Sequence, residues 1–402
     1  MNLRPSQLPV LRQISVRAAM DILLHEGPTS RATLAKKTGL SKQTMSEVIR
    51  ALEESGWVRA KGIISGKVGR SAITYEVADD AGYAVGIDLG ATTIRIAVVS
   101  ISGRIVHESE HPTGGRVAND LIEHMHDLVE TSLKENGLPF EKILLGSVAT
   151  PGVIDPITGT LSLAQNIGET GSLDVVTRLS EALGCEVVVE NDVNAAAIGE
   201  SWKGRSAGLE TAAFISLGTG VGLGLLINGK LAKGAKGAAG EIAYLPFGSD
   251  PYSADSLERG ALETAIGAQG IVSRYRTAGG SAPDVRSILQ EAEAGQEPAA
   301  SVIRETARLA SLLIVSVDAM IDPEKIVLGG NVGRHPLILK LVGEEVPRLT
   351  RRTISIEPSL LGSRATLIGS VAVALNQLHN ALFSPQDLPS EMRLPQAATQ
   401  GV

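Results

Sequence analysis

The sequence predicts an α/β protein in two parts, an N-terminal winged helix-turn-helix followed by a larger two-lobed α/β body. Three observations predict it. The charge changes sign along the chain, the first 80 residues read as helices followed by a basic hairpin, and two strand–glycine bend–strand segments recur in the remainder. Glycine is abundant, at 44 of 402 residues, and aromatic residues make up only 3%. That mixture suits a fold with many tight strand–helix turns. Hydrophobic residues at 43% and charged residues at 20% exclude a disordered or fibrous chain.

Residues 1–75 carry 12 Lys and Arg against 5 Asp and Glu, whereas the rest carries 25 against 39. A basic head on an acidic body implies that only the head meets a polyanion. The single cysteine, Cys185, excludes an intrachain disulfide framework and any zinc site built on several thiolates. Residues 311–321 form an apolar run too short to span a bilayer, which needs about 20 residues. The N-terminus, with Arg4, Arg12 and Arg17, shows no unbroken apolar signal region. A cytoplasmic protein without a membrane partner is expected.

In the head, Ile14, Ala18, Ile22 and Leu23 recur at helical spacing over 14–26, and Gly27-Pro28 ends that helix. Ser30 is placed to cap a short second helix closed by Gly39. Ser41 caps a third, from Lys42 to about Glu54, whose apolar stripe is Met45, Val48, Ile49 and Leu52. Its polar face and first turn suit a major groove. Lys42, Gln43, Thr44 and Ser46 are the expected base readers, Arg50 a phosphate contact, and Ser41, at the helix start, a further expected DNA contact. Short strands are expected at 57–59 and 73–77. The basic, glycine-rich loop between them is a wing, offering Lys67 and Arg70 to phosphates or a narrow minor groove.

In the body, residues 83–99 read as two strands around a bend, with a third strand at 105–110. Asp88-x-Gly90-x-Thr92 at that bend can hold phosphates: the glycine lets the backbone approach, the hydroxyl donates, and the carboxylate can order a metal-bound water. An ordinary polar-tipped hairpin explains the same residues. A second bend, Gly218-Thr219-Gly220-Val221-Gly222, lies between strands and is followed by an Asn228-Gly229 turn. Two such hairpins facing across a cleft are far more specific than one. A strand at 326–328 ends in Gly329-Gly330, where a flat base could lie. Between the hairpins, Asp192 stands at the end of a strand, where it could accept a sugar hydroxyl's proton during phosphoryl transfer or simply cap a helix.

The ordered set Asp-x-Gly-x-Thr, Pro151-Gly152-x-x-Asp155, Asn191-Asp192-x-Asn194-Ala195-Ala196, Gly-Thr-Gly-x-Gly, Gly240-Glu241-Ile242, Leu262-Glu263-Thr264 and Ile326-Val327-Leu328-Gly329-Gly330 resembles the ROK family of repressors, open reading frames and sugar kinases. The resemblance covers residues 10–380 and, with the winged head, points to the family's transcriptional regulators. It implies an actin-like, ribonuclease-H-like two-lobed fold. It implies that Asp192 matches the kinases' catalytic base, that Asn166, Glu241 and Glu263 match sugar ligands, and that Asp88, Gly90, Thr92, Gly218, Thr219 and Gly220 match nucleotide-phosphate positions. The family's zinc site uses a histidine and three cysteines. Here those positions hold Tyr244, Ala254, Ser256 and Ala261, so no zinc is expected, and Tyr244 is placed to hydrogen-bond or stack on the sugar. His124 and His126, the one close pair of histidines, point apart on a helix.

The expected organisation is a DNA-binding domain over 1–80, a sugar-binding and oligomerisation body over 81–380 with lobes meeting near residue 195, and a loosely ordered tail over 383–402. The expected function is a sugar-responsive transcriptional regulator. It binds an inverted repeat in double-stranded DNA as a homodimer or homotetramer and is released by a monosaccharide or sugar phosphate that moves one lobe against the other. The alternatives are an ATP- and Mg-dependent sugar kinase carrying a DNA-binding head, and a constitutive DNA-binding scaffold whose body has lost its ligands.

Overall fold

The computed structural model describes residues 10–65, 71–115, 118–154, 161–162 and 172–384. The head consists of α1 (Val10–Glu26), β1 (Thr29–Ser30), α2 (Arg31–Thr38), α3 (Lys42–Glu54), β2 (Val58–Ser65) and β3 (Ser71–Val77). Its sheet has the order β1-β3-β2, which makes it a winged helix. Ser30 caps α2 by accepting from the Thr33 amide at 3.2 Å, and Gly39 ends that helix at φ 73°. Met45, Val48, Ile49 and Leu52 of α3 are all buried, as the spacing predicts.

Two details of the head differ from the sequence reading. The buried stripe of α1 is Val16, Ala19, Met20 and Leu23, with Gln13 beside it, and Ile14 is 42% exposed. Helix α1 is apolar on more than one side, so spacing alone does not choose the face that meets α3. The wing strands are also longer than expected, because Ile63 and Ile64 continue the ladder opposite Ile73 and Ala72 beyond a bulge between Ala60 and Gly62. Lys67 and Arg70 lie outside the described residues.

The body continues with β4 (Tyr83–Leu89), β5 (Thr93–Ser100), β6 (Ile105–Pro112), α4 (Ala118–Glu135), β7 (Ile143–Thr150), the ribbon β8 (Val153–Ile154) and β9 (Leu161–Ser162), α5 (Ser172–Leu183) and β10 (Glu186–Asn191). Then come α6 (Asp192–Lys203), β11 (Ala212–Leu217), β12 (Val221–Ile227), β13 (Lys230–Leu231), α7 (Ala254–Arg259), α8 (Ala261–Ile266), α9 (Ala268–Thr277), α10 (Val285–Glu293) and α11 (Ala299–Ile321). The chain closes with β14 (Lys325–Gly329), α12 (Gly330–Gly333), α13 (Pro336–Leu349), β15 (Ile356–Pro358) and α14 (Ala365–Phe383).

The chain divides into two compact units. The first is Met1–Pro151, Ala164–Glu190 and Ser370–Val402, and the second is Gly152–Leu163 and Asn191–Gly369. The head groups with the first lobe, and the chain passes into the second unit at 190/191, a few residues before the expected point. Each unit holds a five-stranded sheet of one plan, β6-β5-β4-β7-β10 and β13-β12-β11-β14-β15. In each, an antiparallel hairpin is followed by a parallel strand beside its first member. The two lobes therefore repeat a topology that leaves no obvious sequence repeat. The second unit's core packs α11 and α13 with the strands, through Leu313, Ile314 and Val317 among others. Among the described residues, no helix is long and apolar enough to cross a membrane.

Within the first unit, the end of α14 packs on the head. Phe383 is buried and meets the Trp57 ring edge-on at a centroid distance of 5.6 Å. Arg17 donates to Asn380 Oδ1 at 3.2 Å and to Ser384 Oγ. The tail expected from residue 383 therefore starts too early, since Phe383 completes a helix; beyond Ser384 it lies outside the described residues. One turn earlier, buried His379 donates from Nε2 to the Ile101 carbonyl at 2.7 Å. Burial holds its imidazole neutral, with its pKa lowered to about 4.

A histidine held below its unfolded value of 6.5 contributes stability above that pH and loses it as the pH falls towards about 4. Acidification across this window is expected to destabilise the protein by about 3 kcal/mol more than a His379→Gln variant. Denaturation at several pH values checks this, and parallel curves would refute it.

Candidate effector site and DNA-binding surface

Three carboxylates of the second unit lie near one another beside β12, whose residues 221–223 meet the three segments that carry them. The Val221 amide donates to Glu263 Oε2 at 2.9 Å. Gly222 is bare towards α6, where a Cβ would stand 2.8 Å from Val193 Cγ2, so α6 brings its first residue, Asp192, close to the strand. The Leu223 amide donates to the Gly240 carbonyl at 3.2 Å, next to Glu241. Gly240 takes φ 98°, a backbone conformation that favours glycine. Asn191, not Asp192, caps α6, accepting from the Val193 and Asn194 amides at 2.9 and 3.0 Å. Asp192 Oδ1 also accepts from Val193, and Thr366 donates its hydroxyl to the Asp192 carbonyl at 3.3 Å. The Asn191 side-chain amide donates to Gly152 of the Pro-Gly motif at 2.9 Å.

Glu241 is exposed, and Asp192 and Glu263 are half-buried. All three carboxyls are pushed above the ordinary carboxylate range. Loss of hydration to the surrounding protein is the main cause for each, and for Glu241 the charges of Asp192 and Glu263 add to it. Ionised carboxylates accept hydrogen bonds and donate none. Such a cluster can hold adjacent hydroxyls of a polyol, and Asp192 can take a proton from one of them. Asn166, the remaining expected sugar ligand, lies outside the described residues, as does Asp155.

Tyr244 is 41% exposed, and its hydroxyl donates to the Glu258 carbonyl of α7 at 2.9 Å. Partial loss of hydration and the charges of Glu241, Glu263 and Glu258 push its pKa up. At the other positions of the family's zinc loop, Ala254 and Ala261 offer no ligand. Ser256 is taken up in capping α7, its hydroxyl and amide both meeting the Ser253 hydroxyl. The donor set does not fit a zinc ion. Among the described residues no group of three His, Cys, Asp or Glu side chains is placed to hold a metal ion.

The expected phosphate positions fall into both units. Asp88 and Arg95 are cross-strand partners on β4 and β5, and Arg95 Nη1 lies 3.1 Å from Asp88 Oδ2 while its Nε holds Glu110 at 2.8 Å. Arg95 was legible in the sequence, because the bend length that pairs Leu89 with Ile94 also pairs 88 with 95. The Gly90 amide closes the bend on the Thr93 carbonyl at 3.0 Å, and Thr92 is exposed at its tip. Gly218, Thr219 and Gly220 form the β11–β12 bend. The Gly218 amide is held by the Gly220 carbonyl, and a Cβ on Gly220 would stand 2.7 Å from Glu263 Oε2. Gly329 and Gly330 end β14 and begin α12. Cβ atoms there would strike the Phe214 ring and the Leu217 carbonyl at 2.1 Å each, so internal packing explains both glycines without a ligand.

On the head, the Ser41 hydroxyl caps α3 through the Thr44 amide at 3.0 Å and meets the Thr44 hydroxyl at 2.8 Å. The Ser46 hydroxyl donates to the Lys42 carbonyl at 2.8 Å. Lys42, Gln43 and Arg50 project from the exposed face, and Gln43 donates to Glu47 at 3.4 Å. Of the six expected contacts on this helix, these three are the long side chains turned to solvent. The three hydroxyls are tied into the helix's own start.

A profile of the ROK family matches residues 84–377. The chain belongs to the ROK family. A MarR family profile covers residues 5–61 of its winged head. This ROK protein is 27% identical over 388 residues to a xylose repressor of Caldicellulosiruptor bescii, covering 92% of this chain and 97% of that one. It is 33% identical over 269 residues to a glucokinase of Halalkalibacterium halodurans, covering 62% of this chain and 80% of the enzyme. A solved ROK family transcriptional regulator, a homologue of the E. coli MLC protein, superposes with a TM-score of 0.76 at 19% identity over 93% of this chain and 98% of that chain. That likeness shows that head and body share the regulator's fold, the actin-like ROK body behind a winged helix.

Proposed function

We propose that this ROK protein is a sugar-responsive transcriptional repressor whose α3 reads operator DNA and whose Asp192–Glu241–Glu263 cluster binds the effector. The observation that carries the reading is the pairing of a solvent-facing Lys42–Gln43–Arg50 surface with the carboxylate cluster beside β12 in one chain. The repressor relative, which this chain matches across head and body, supports it. A two-fold oligomer reading an inverted repeat would place two copies of α3 in successive major grooves, and such a regulator works in the cytoplasm, beside its operator. Effector binding lowers operator affinity only if the sugar prefers one arrangement of the protein over another.

The glucokinase relative and the retained Asp192 support a second reading, phosphotransfer. Against it stand the ion pair that engages Asp88 and the Glu263 carboxylate seated on the second bend. On our reading the protein senses sugar without phosphorylating it and needs no zinc. Metal analysis of the purified protein is expected to find no stoichiometric zinc, and one equivalent per chain would overturn that.

A gel shift on the gene's own upstream DNA, with and without monosaccharides and sugar phosphates, tests the main reading. A specific complex dissolved by one of these compounds is expected. Equal binding to random fragments, or indifference to every compound, would refute it. ATP-dependent turnover of a sugar that disappears in Asp192→Asn would establish the kinase instead.

A further inference from the structure

We propose that Tyr244 is a positioning residue: its hydroxyl clasps α7 to the turn beside Glu241, and this protein clasp takes the place of a metal ion in holding the segment between Glu241 and Glu263. The residues at 244, 254, 256 and 261 do not fit the zinc site that the ROK resemblance implies, and a different cross-link is present. The clasp stands on the contacts of this segment alone. Its effect on a ligand rests on the proposed sugar-responsive function.

Helix α7 has six residues, too few to be stable alone. Ser256 is buried among its side chains, but Leu257 stands 69% exposed, so apolar burial does little to fix the helix. The bonds of Ser253 to Ser256 and of Arg259 to Asp255 stay within the helix and its cap. Arg259 to Gln269 at 2.6 Å, and the Thr264 hydroxyl to the Asp255 carbonyl at 3.5 Å, tie α7 forward to the helices that follow. Two contacts tie it back to the turn Ile242–Tyr244, whose Ile242 and Ala243 are buried. The Tyr244 hydroxyl donates to the Glu258 carbonyl at 2.9 Å. Gly260, at φ 91°, lies so close that a Cβ would stand 2.1 Å from the Ala243 carbonyl oxygen. The turn follows directly on Glu241, whose carbonyl accepts from the Tyr244 amide at 3.3 Å, and Gly260 leads directly into α8, which carries Glu263. Tyr244 therefore fixes the path between the two carboxylates from its middle. With its proton given to Glu258, the hydroxyl supports the loop and does not donate to the effector.

Hydrogen exchange on the full chain, with and without EDTA, tests the clasp in the parent and in Tyr244→Phe, which keeps the ring and removes the hydroxyl. The Leu257 and Gly260 amides close α7 on the Ser253 and Ser256 carbonyls at 2.9 Å each. Both are expected to exchange roughly three- to tenfold faster in the variant, through the loss of one hydrogen bond, with the amides of β11 and the melting temperature unchanged. EDTA is expected to alter neither protein. Unaltered exchange in Tyr244→Phe, or an EDTA-induced rise in the parent, overturns the inference. Titrating D-xylose, D-glucose and N-acetyl-D-glucosamine into the complex with the gene's own upstream DNA reads the positioning role. The variant is expected to bind that DNA as the parent does and to need severalfold more of the releasing sugar. Equal sensitivity to sugar despite faster exchange would overturn the positioning role. Release of the parent by none of the three would overturn the sugar-responsive reading and the positioning role with it, while the exchange result alone decides the clasp.

Discussion

A Glu241→Ala variant is expected to hold operator DNA as firmly as the parent protein and to ignore the effector. Glu241 belongs to the second unit, and the head groups with the first, so folding of the DNA-reading helix does not depend on this side chain. The substitution removes an acceptor from a cluster whose members β12 sets side by side. Hydrogen bonds to a charged group contribute about 1.5–3 kcal/mol each, so loss of one lowers effector affinity roughly 10- to 150-fold. Calorimetry and a gel shift at fixed effector concentration check the two halves of the expectation. Release at the parental concentration would show that the sugar is held elsewhere.

The isosteric Glu241→Gln variant adds a thermodynamic signature. The Glu241 pKa is raised by partial loss of hydration and by its two carboxylate neighbours, so its ionised form opposes folding at neutral pH. That opposition fades as the pH falls through the raised value. The glutamine protein is therefore expected to melt higher than the parent at pH 7.5, with the gap closing on acidification. A constant or inverted gap would contradict the electrostatic account of the cluster.

The second large effect concerns the reading helix. Lys42 and Arg50 are exposed on α3, and each phosphate they neutralise contributes about 0.9 to the slope of log affinity against log salt. Replacing both with alanine is expected to flatten the slope by about 2 and to weaken operator binding roughly 30-fold at 0.15 M salt. Gln43→Ala, by contrast, is expected to leave the slope unchanged and to relax preference at one base pair, at a cost of about 1–3 kcal/mol. A salt titration of the three variants on cognate and scrambled DNA separates the roles, and an unaltered slope in the double variant would move the phosphate contacts off this helix.

Much of the head could be read from the chain because α3 segregates its apolar residues cleanly: Met45, Val48, Ile49 and Leu52 leave one choice of buried face. Helix α1 offered several, and the true face, through Val16 and Met20, is selected by tertiary contact with α3. In the body, strand–bend–strand patterns located both hairpins. Motif resemblance picked out Asp192, Glu241 and Glu263, but nothing local in the sequence says that Val221, Gly222 and Leu223 gather them, because 42 residues separate Val221 from Glu263. The glycines at 329 and 330 read equally well as a ligand platform or as packing space. Only the positions of Phe214 and Leu217 decide what fills them. Phe383 was misplaced in the tail because its partner, Trp57, lies at the other end of the sequence.

That last contact gives the protein a built-in order of maturation. Arg17 and Asn380 stand 363 positions apart, so at a ribosomal pace of 5–20 residues per second the head emerges roughly 20–70 s before the helix that completes its underside. Until then Trp57 lacks its cover and Arg17 its partner at Asn380. A premature stop anywhere before α14 would leave the head without the helix that packs on Trp57 and Arg17.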